Sequence, residues 1–201
     1  MNFNSEVIEN AVQSLSSFPG IGKKTALRMV IHLINSNELS VNEISNSINK
    51  LKTDLRFCDE CGNIAESSIC SICANPLRDD GLVCVVSDFK DVLAVENTAT
   101  FRGKYHVLGG LISPIDGVSP DDLNISSLLQ RTQDNNINEI IIALSATLEG
   151  DTTTFYLSKL LKEYGVKIST IAKGIAVGGE IEYADEITLG RSITNRIKYD
   201  I

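Results

Sequence analysis

The chain has 201 residues, a hydrophobic content of 43%, no tryptophan and a formal net charge of −8, a size that holds one large domain or two to three small ones with an adequate core and no need of disulfide staples. No run approaches the roughly 18 consecutive apolar residues of a membrane span, and the polar, acidic beginning is unlike a secretory leader, so membrane and secreted classes are set aside and the cytosol is expected. Thiols stay reduced there, and the five cysteines then point to metal binding instead of a disulfide framework.

Read in chain order, Val7, Ala11 and Leu15, with Ile8 and Val12 beside them, mark one apolar stripe of a first helix. Phe18-Pro19-Gly20 ends it, because a proline pushes its predecessor out of helical geometry. A second helix is expected from Lys23 to Ile34, with Ala26, Leu27, Val30, Ile31 and Ile34 inward. Asn35 to Leu39 reads as a linker. Ser40 and Glu43 form a capping-box pattern that opens a third helix, with Val41, Ile44, Ile48, Leu51 and Leu55 on its buried face. After the cysteine-rich segment 57–80, strands are expected at Leu82–Val86, Tyr105–Leu108, Glu139–Leu144 and Val166–Ile171. They alternate with helices near Phe89–Asn97, Asp122–Asp134 and Thr152–Tyr164, and a Gly/Pro/Asp loop spans Gly109–Asp121. Such alternation predicts a mostly parallel, helix-covered sheet. The tail from Lys173 reads as a Gly-rich loop, a short strand Glu186–Leu189 and a final helix. The fold class is therefore multidomain α/β, divided as 1–56, 57–80, 81–173 and 174–201.

Cys58-x-x-Cys61, eight residues, then Cys70-x-x-Cys73 is a metal-ligand spacing. Each Cys-x-x-Cys knuckle curls so that both thiolates face one ion, and two knuckles close a tetrahedron. Four soft ligands select Zn²⁺ and leave no open position for a substrate, which makes the ion structural, one per chain. An iron–sulfur cluster would use the same ligands and is the alternative. So short a segment has no apolar core of its own, and ligation must replace one. Cys84, inside an apolar strand, reads as a small core residue.

Phe18-Pro19-Gly20-Ile21-Gly22-Lys23-Lys24-Thr25-Ala26 resembles the helix–hairpin–helix motif of DNA-binding proteins. Gly20 and Gly22 let backbone approach a phosphate, the first amides of the second helix carry partial positive charge, and Lys23, Lys24 and Arg28 add cations that release counterions. Such a corner holds the backbone without reading bases. Residues 1–56 carry six basic and five acidic groups, so the acidic excess lies in the remainder.

A PGIG hairpin, then a four-cysteine finger, then an alternating α/β domain resembles, in that order and over essentially the whole chain, the RecR family of bacterial recombination mediators. The run Val107–Val118 resembles its central loop, and the run Gly174–Asp185 its Walker B-like C-terminal signature. The resemblance implies a Toprim α/β domain. Toprim enzymes hold Mg²⁺ with a Glu after the first strand and an Asp-x-Asp pair after a later one; here Ser87 stands at the first position and no such pair follows Leu144. Glu149 and Asp151 are left as a residual acidic site that could attract a cation. The resemblance further implies a non-catalytic DNA-repair and recombination protein that binds single-stranded, gapped or duplex DNA, works with RecO and RecF in recombinase loading, and forms a homo-oligomer, dimer or tetrameric ring. Two other readings are carried beside it: a Mg²⁺-dependent nuclease or primase-type enzyme, and a zinc-stabilised adaptor that binds only protein.

Overall fold

The computed structural model describes residues 5–134, 137–175 and 177–198. Of the expected C-terminal segment, Ala176 and residues 199–201 lie outside the described residues. The chain forms two compact units, Met1–Leu55 and Arg56–Ile201.

The first unit is three helices: α1 (Glu6–Ser16), α2 (Lys23–Asn35) and α3 (Glu38–Thr53). Val12 of α1 and Ala26 and Val30 of α2 form its core, with Ile21 of the connecting turn packed against them. This small core is narrower than the periodicity suggested, for Val7, Ile31 and Ile34 are exposed. α3 also departs from expectation. Asn37 is its N-cap, accepting the Ser40 amide at 2.8 Å. Asn is as good a cap as Ser, so the helix begins before the Ser40–Glu43 pattern, which lies inside it. None of its residues is buried, and the stripe of Ile44, Ile48 and Leu51 that should face a core faces outward.

The second unit opens with a short antiparallel ribbon, β1 (Arg56–Phe57) and β2 (Ile64–Ala65), in the register Phe57↔Ile64. A parallel sheet follows, of order β4-β3-β5-β6, built from β3 (Asp79–Val86), β4 (Gly103–Val107), β5 (Glu139–Ile142) and β6 (Lys167–Thr170). Its helices are α4 (Phe89–Glu96), α5 (Ile125–Asp134) and α6 (Leu148–Leu161), and α7 (Glu186–Thr194) closes the chain.

Side-chain alternation splits β3 between two cores. Val83 and Val85 pack with Ile140, Ile142, Leu128, Leu157 and Leu161 beneath α5 and α6. Cys84 and Val86 pack with Tyr105, Val107 and Val92 of α4. Burial pushes the Cys84 thiol up to about 12, with the charge of Asp91 adding to it. This cysteine packs in the core and, among the described residues, belongs to no metal group.

Three expected boundaries shift. Leu123 adopts extended backbone (φ −108°, ψ 156°) after a 3-10 turn at Pro120–Asp122, so α5 starts only at Ile125. Thr147 caps α6 a turn earlier than expected, which puts Glu149 and Asp151 in its first turn, where carboxylates complement the helix dipole. The run Glu186–Leu189 is helix, not strand: Asp185 caps it by accepting the Thr188 amide at 2.9 Å. A short apolar run has no period long enough to tell the two apart.

His106 on β4 is buried, with Nε2 2.8 Å from the Asn124 carbonyl oxygen. Only a protonated Nε2 can donate there, which leaves Nδ1 as an acceptor with no partner among the described residues. Burial, aided by the charge of Arg131, pushes its pKa from 6.5 down to about 4. The unfolded chain therefore takes up this proton first. Its contribution is intact above pH 6.5 and is lost as pH falls towards 4, by about 3 kcal/mol in all. Urea unfolding at neutral pH and near pH 4 should show His106→Asn losing about 2 kcal/mol less than the parent on acidification.

Candidate metal centre and nucleic-acid interface

The two knuckles meet. Cys58, Cys61, Cys70 and Cys73 are all buried, and their sulfurs lie within 4.8 Å of one another. Among the described residues they are the one group of Cys, His, Asp or Glu so gathered. The Cys61 and Cys70 sulfurs are 3.7 Å apart. Four sulfurs each about 2.3 Å from a central Zn²⁺ would be separated by about 3.8 Å, so the donor set has the size of a zinc tetrahedron. Backbone amides support it: Cys70 N–H donates to the Cys58 sulfur at 3.3 Å and Cys73 N–H to the Cys70 sulfur at 3.4 Å. The residues fit one structural zinc.

The thiols already differ in acidity. The Cys73 thiol, donating to Cys61, holds Cys61 down to about 6. That same bond, followed by burial, pushes Cys73 up, and burial raises Cys70. Four thiolates this close repel one another, and a dication among them removes the conflict.

Local hydrogen bonds shape the first knuckle: Cys58 N–H donates to Asn63 O at 2.7 Å and Gly62 N–H to Cys58 O at 2.9 Å. Gly62 has φ +72°, and a Cβ there would lie 2.9 Å from the Val107 carbonyl oxygen. Glycine is required on both counts.

The knuckle also grips the sheet. β4 is an edge strand, and its Val107 N–H donates to Cys61 O at 2.7 Å. Glu60, between the two cysteines, accepts from Arg131 of α5 at 3.0 Å and Lys104 of β4 at 3.3 Å. The Arg131 side chain is only 7% exposed and also donates to Tyr105 O at 2.6 Å. Sequence reasoning missed Glu60 and Arg131. The first occupies an unconstrained position of a Cys-x-x-Cys, and the second lies 71 residues away.

The hairpin corner has a different character. Gly20 turns with φ +78°, and a Cβ at Gly20 or Gly22 would meet nothing within 4 Å. Gly22 is the N-cap of α2 and offers no side-chain acceptor, so the first-turn amides are left to an outside acceptor. Lys23, Lys24 and Arg28 are exposed, and among the described residues none is in an ion pair.

Two carboxylates of the α/β domain, Asp91 and Asp151, are engaged. Asp91, near the first-strand position, accepts the Ser87 hydroxyl at 2.6 Å and the Ser87 and Asp88 amides at 3.2 and 3.1 Å. It completes the capping box of α4. Asp151 pairs with Lys173 and, at 3.2 Å, with Arg191 of α7. The bond from Lys173, then the charge of Arg191, holds its carboxyl below the usual range. Glu149 is half-buried in the first turn of α6.

Models of protein families match four consecutive parts of the chain: the RecR helix-hairpin-helix over residues 8–52, the RecR four-cysteine zinc finger domain over 55–75, the Toprim domain over 81–172 and the RecR C-terminal part over 174–197. Among curated proteins, one from Amoebophilus asiaticus named "Recombination protein RecR" is 54% identical over 99% of this chain and 100% of its own length. Proteins of the same name from Bacteroides thetaiotaomicron and Flavobacterium johnsoniae are 55% and 51% identical, over 96% and 100% of this chain and 95% and 97% of their own. No helix among the described residues is long and apolar enough to cross a membrane.

Purified protein should contain about one zinc per chain by elemental analysis. Cys70→Ala should lose it and cost more than about 4 kcal/mol of stability, as removal of a structural metal does. Glu60→Ala should instead keep the zinc and still lose about 3 kcal/mol, because Arg131 is left buried without its carboxylate. A zinc content equal to the parent's with a lowered urea midpoint in Glu60→Ala, against loss of both in Cys70→Ala, would separate the two effects.

Proposed function

The chain belongs to the RecR family, and on that premise we propose that it is a non-catalytic recombination mediator of DNA repair that holds DNA by its backbone. The corner between α1 and α2 is the grip. Gly20 and Gly22 admit a phosphate, the first amides of α2 donate to it, and Lys23, Lys24 and Arg28 surround it with positive charge. The mediator works in the cytoplasm with RecO and RecF on single-stranded or gapped DNA, where recombinase is loaded.

The observation that carries this reading is the unneutralised charge of that corner. Lysines and arginines equal acidic residues over 1–55, so the whole net −8 belongs to 56–201. In the acidic half Arg78, Lys104, Arg131, Lys173 and Arg191 are held in ion pairs, whereas Lys23, Lys24 and Arg28, clustered at the corner, are in none among the described residues.

Non-catalysis is supported by the fate of the acids. A Mg²⁺ site for phosphoryl transfer needs clustered, available carboxylates. Here Asp91 is consumed by a helix cap and Asp151 by two cations, and Ser87 occupies the first-strand position. Self-association, as dimer or tetrameric ring, is supported by the outward apolar stripe of α3 and by Ile181, Tyr183 and Ile187 of the tail, all exposed in the single chain.

A Lys24→Ala/Arg28→Ala double variant tests the grip. Its affinity for a single-stranded oligonucleotide, read by fluorescence anisotropy, should fall about tenfold or more. The slope of log K against log salt should flatten by about 1.4 for two lost contacts. With Mg²⁺ present, the oligonucleotide should be recovered intact. Unchanged affinity and slope would remove the hairpin from the reading, and cleavage would remove the claim of non-catalysis.

A further inference from the structure

After β6 the chain continues as a tail, from Gly174 through α7, that lies against the α/β domain without joining its core. None of its described residues is buried, and Ile181, Tyr183, Ile187, Ile193 and Ile197 are all exposed. Its turn and cap hydrogen bonds close within the tail itself: Tyr183 N–H donates to Glu180 O, Ala184 N–H to Ile181 O and Asn195 N–H to Arg191 O. The hydroxyls of Ser192 and Thr194 likewise donate to carbonyls of α7. Among the described residues from 174 to 195, only Arg191 reaches the rest of the domain by a polar contact, its ion pair with Asp151 at 3.2 Å.

Asp151 is a firm anchor. It sits in the first turn of α6, where its amide donates to Thr147 O at 2.9 Å. That turn is tight, for a Cβ on Gly150 would fall 2.0 Å from the Ser145 carbonyl oxygen. The Asp151 carboxylate takes two cations at once: Lys173, immediately before the tail, and Arg191 of α7. One side chain therefore pins the tail both at its root and on its helix. Between the two pins Gly178 turns with φ +83°, and a Cβ there would meet nothing within 4 Å, so the connecting segment is not wedged against the domain.

Beneath α7 the surfaces do not close. A cavity of about 650 Å³ separates it from the loops that follow β5 and β6, with Leu144, Ala146 and Ile171 on one wall and Ile187 and Thr188 on the other. A helix docked by apolar packing leaves few voids larger than a water molecule. A helix of nine residues is marginal without such packing. What keeps α7 in place is then charge, and half-exposed ion pairs are weak and screened by salt.

We infer that the tail is a strap closed over this cavity by the charge of Asp151, and that screening or removing that charge opens it. Opening bares Leu144, Ala146 and Ile171 and releases the Asp151 carboxylate from both cations. The closed and open forms lie close in free energy, because so little besides the ion pairs separates them. None of this involves the α1–α2 corner, whose residues lie in the other unit.

Hydrogen–deuterium exchange of the full zinc-loaded protein, read by mass spectrometry on peptides covering α7, reports the strap, because a released short helix frays and its amides exchange. At low salt α7 should be protected in the parent. In about 1 M NaCl, where the screening length falls to about 3 Å, its exchange should quicken about fivefold. Asp151→Asn and Arg191→Gln should each do the same at low salt, while β3 and β5 exchange as in the parent. Arg191→Gln leaves α6 and the Lys173 pair untouched, so its effect is not a defect of the α6 turn. The strap is overturned if α7 is already unprotected in the parent at low salt, if salt or either variant leaves its exchange at the parent's rate, or if β3 and β5 lose protection together with it.

Discussion

Four sulfurs within 4.8 Å of one another are the constraint on which the middle of this chain depends. Besides the cysteines, the core of the ribbon holds only Ala65, with Ile72 packed against it. Burial of so little apolar surface does not offset the entropy of ordering some twenty residues, at about 1–2 kcal/mol each. Zinc–thiolate bonding does. The metal cluster in effect stands in for a hydrophobic core, and its geometry is transmitted outward. The Cys61 carbonyl takes a backbone hydrogen bond from Val107 of the edge strand, and Glu60 takes the charges of Arg131 and Lys104. An otherwise open edge strand is thereby partly covered.

Charge is divided along the same lines. Several carboxylates of the acidic half are used internally, Asp91 to cap a helix, Glu96 to neutralise the half-buried Arg78 and Asp151 to fasten α7 through Arg191. The N-terminal unit has no net charge but leaves three cations clustered and exposed beside uncapped amides. Affinity for phosphate follows from local arrangement rather than net charge, which is how a protein of charge −8 can belong to a family of DNA-repair proteins. The same logic underlies the proposed absence of phosphoryl transfer in the α/β domain. A fold that elsewhere gathers acids around Mg²⁺ here turns them towards hydroxyls, amides and lysine, and function follows the site rather than the fold.

Apolar surface tells which parts of the chain are incomplete alone. α3 is a helix of 16 residues with no buried side chain. Most helical stability in proteins comes from packing one face, and the face of Ile44, Ile48 and Leu51 is left uncovered by its own three-helix unit. The periodicity of the sequence specifies the stripe. It does not supply the identity of the surface that covers it.

The sequence by itself determined whatever rests on local chemistry. Cysteine spacing specified the metal and its four ligands, because knuckle geometry is set within four residues. Pro19, Gly20 and Gly22 specified the turn, and alternating apolar runs specified a parallel sheet. Tertiary structure decided what depends on partners distant in sequence: that Glu60 meets Arg131 across 71 residues, and that Asp151 is spent on Lys173 and Arg191. The short tail element, helix where a strand was expected, was decided locally. Its apolar run is too brief to carry a period, and the Asp185 cap, a contact of three residues' span, settled the conformation that hydrophobic pattern left open.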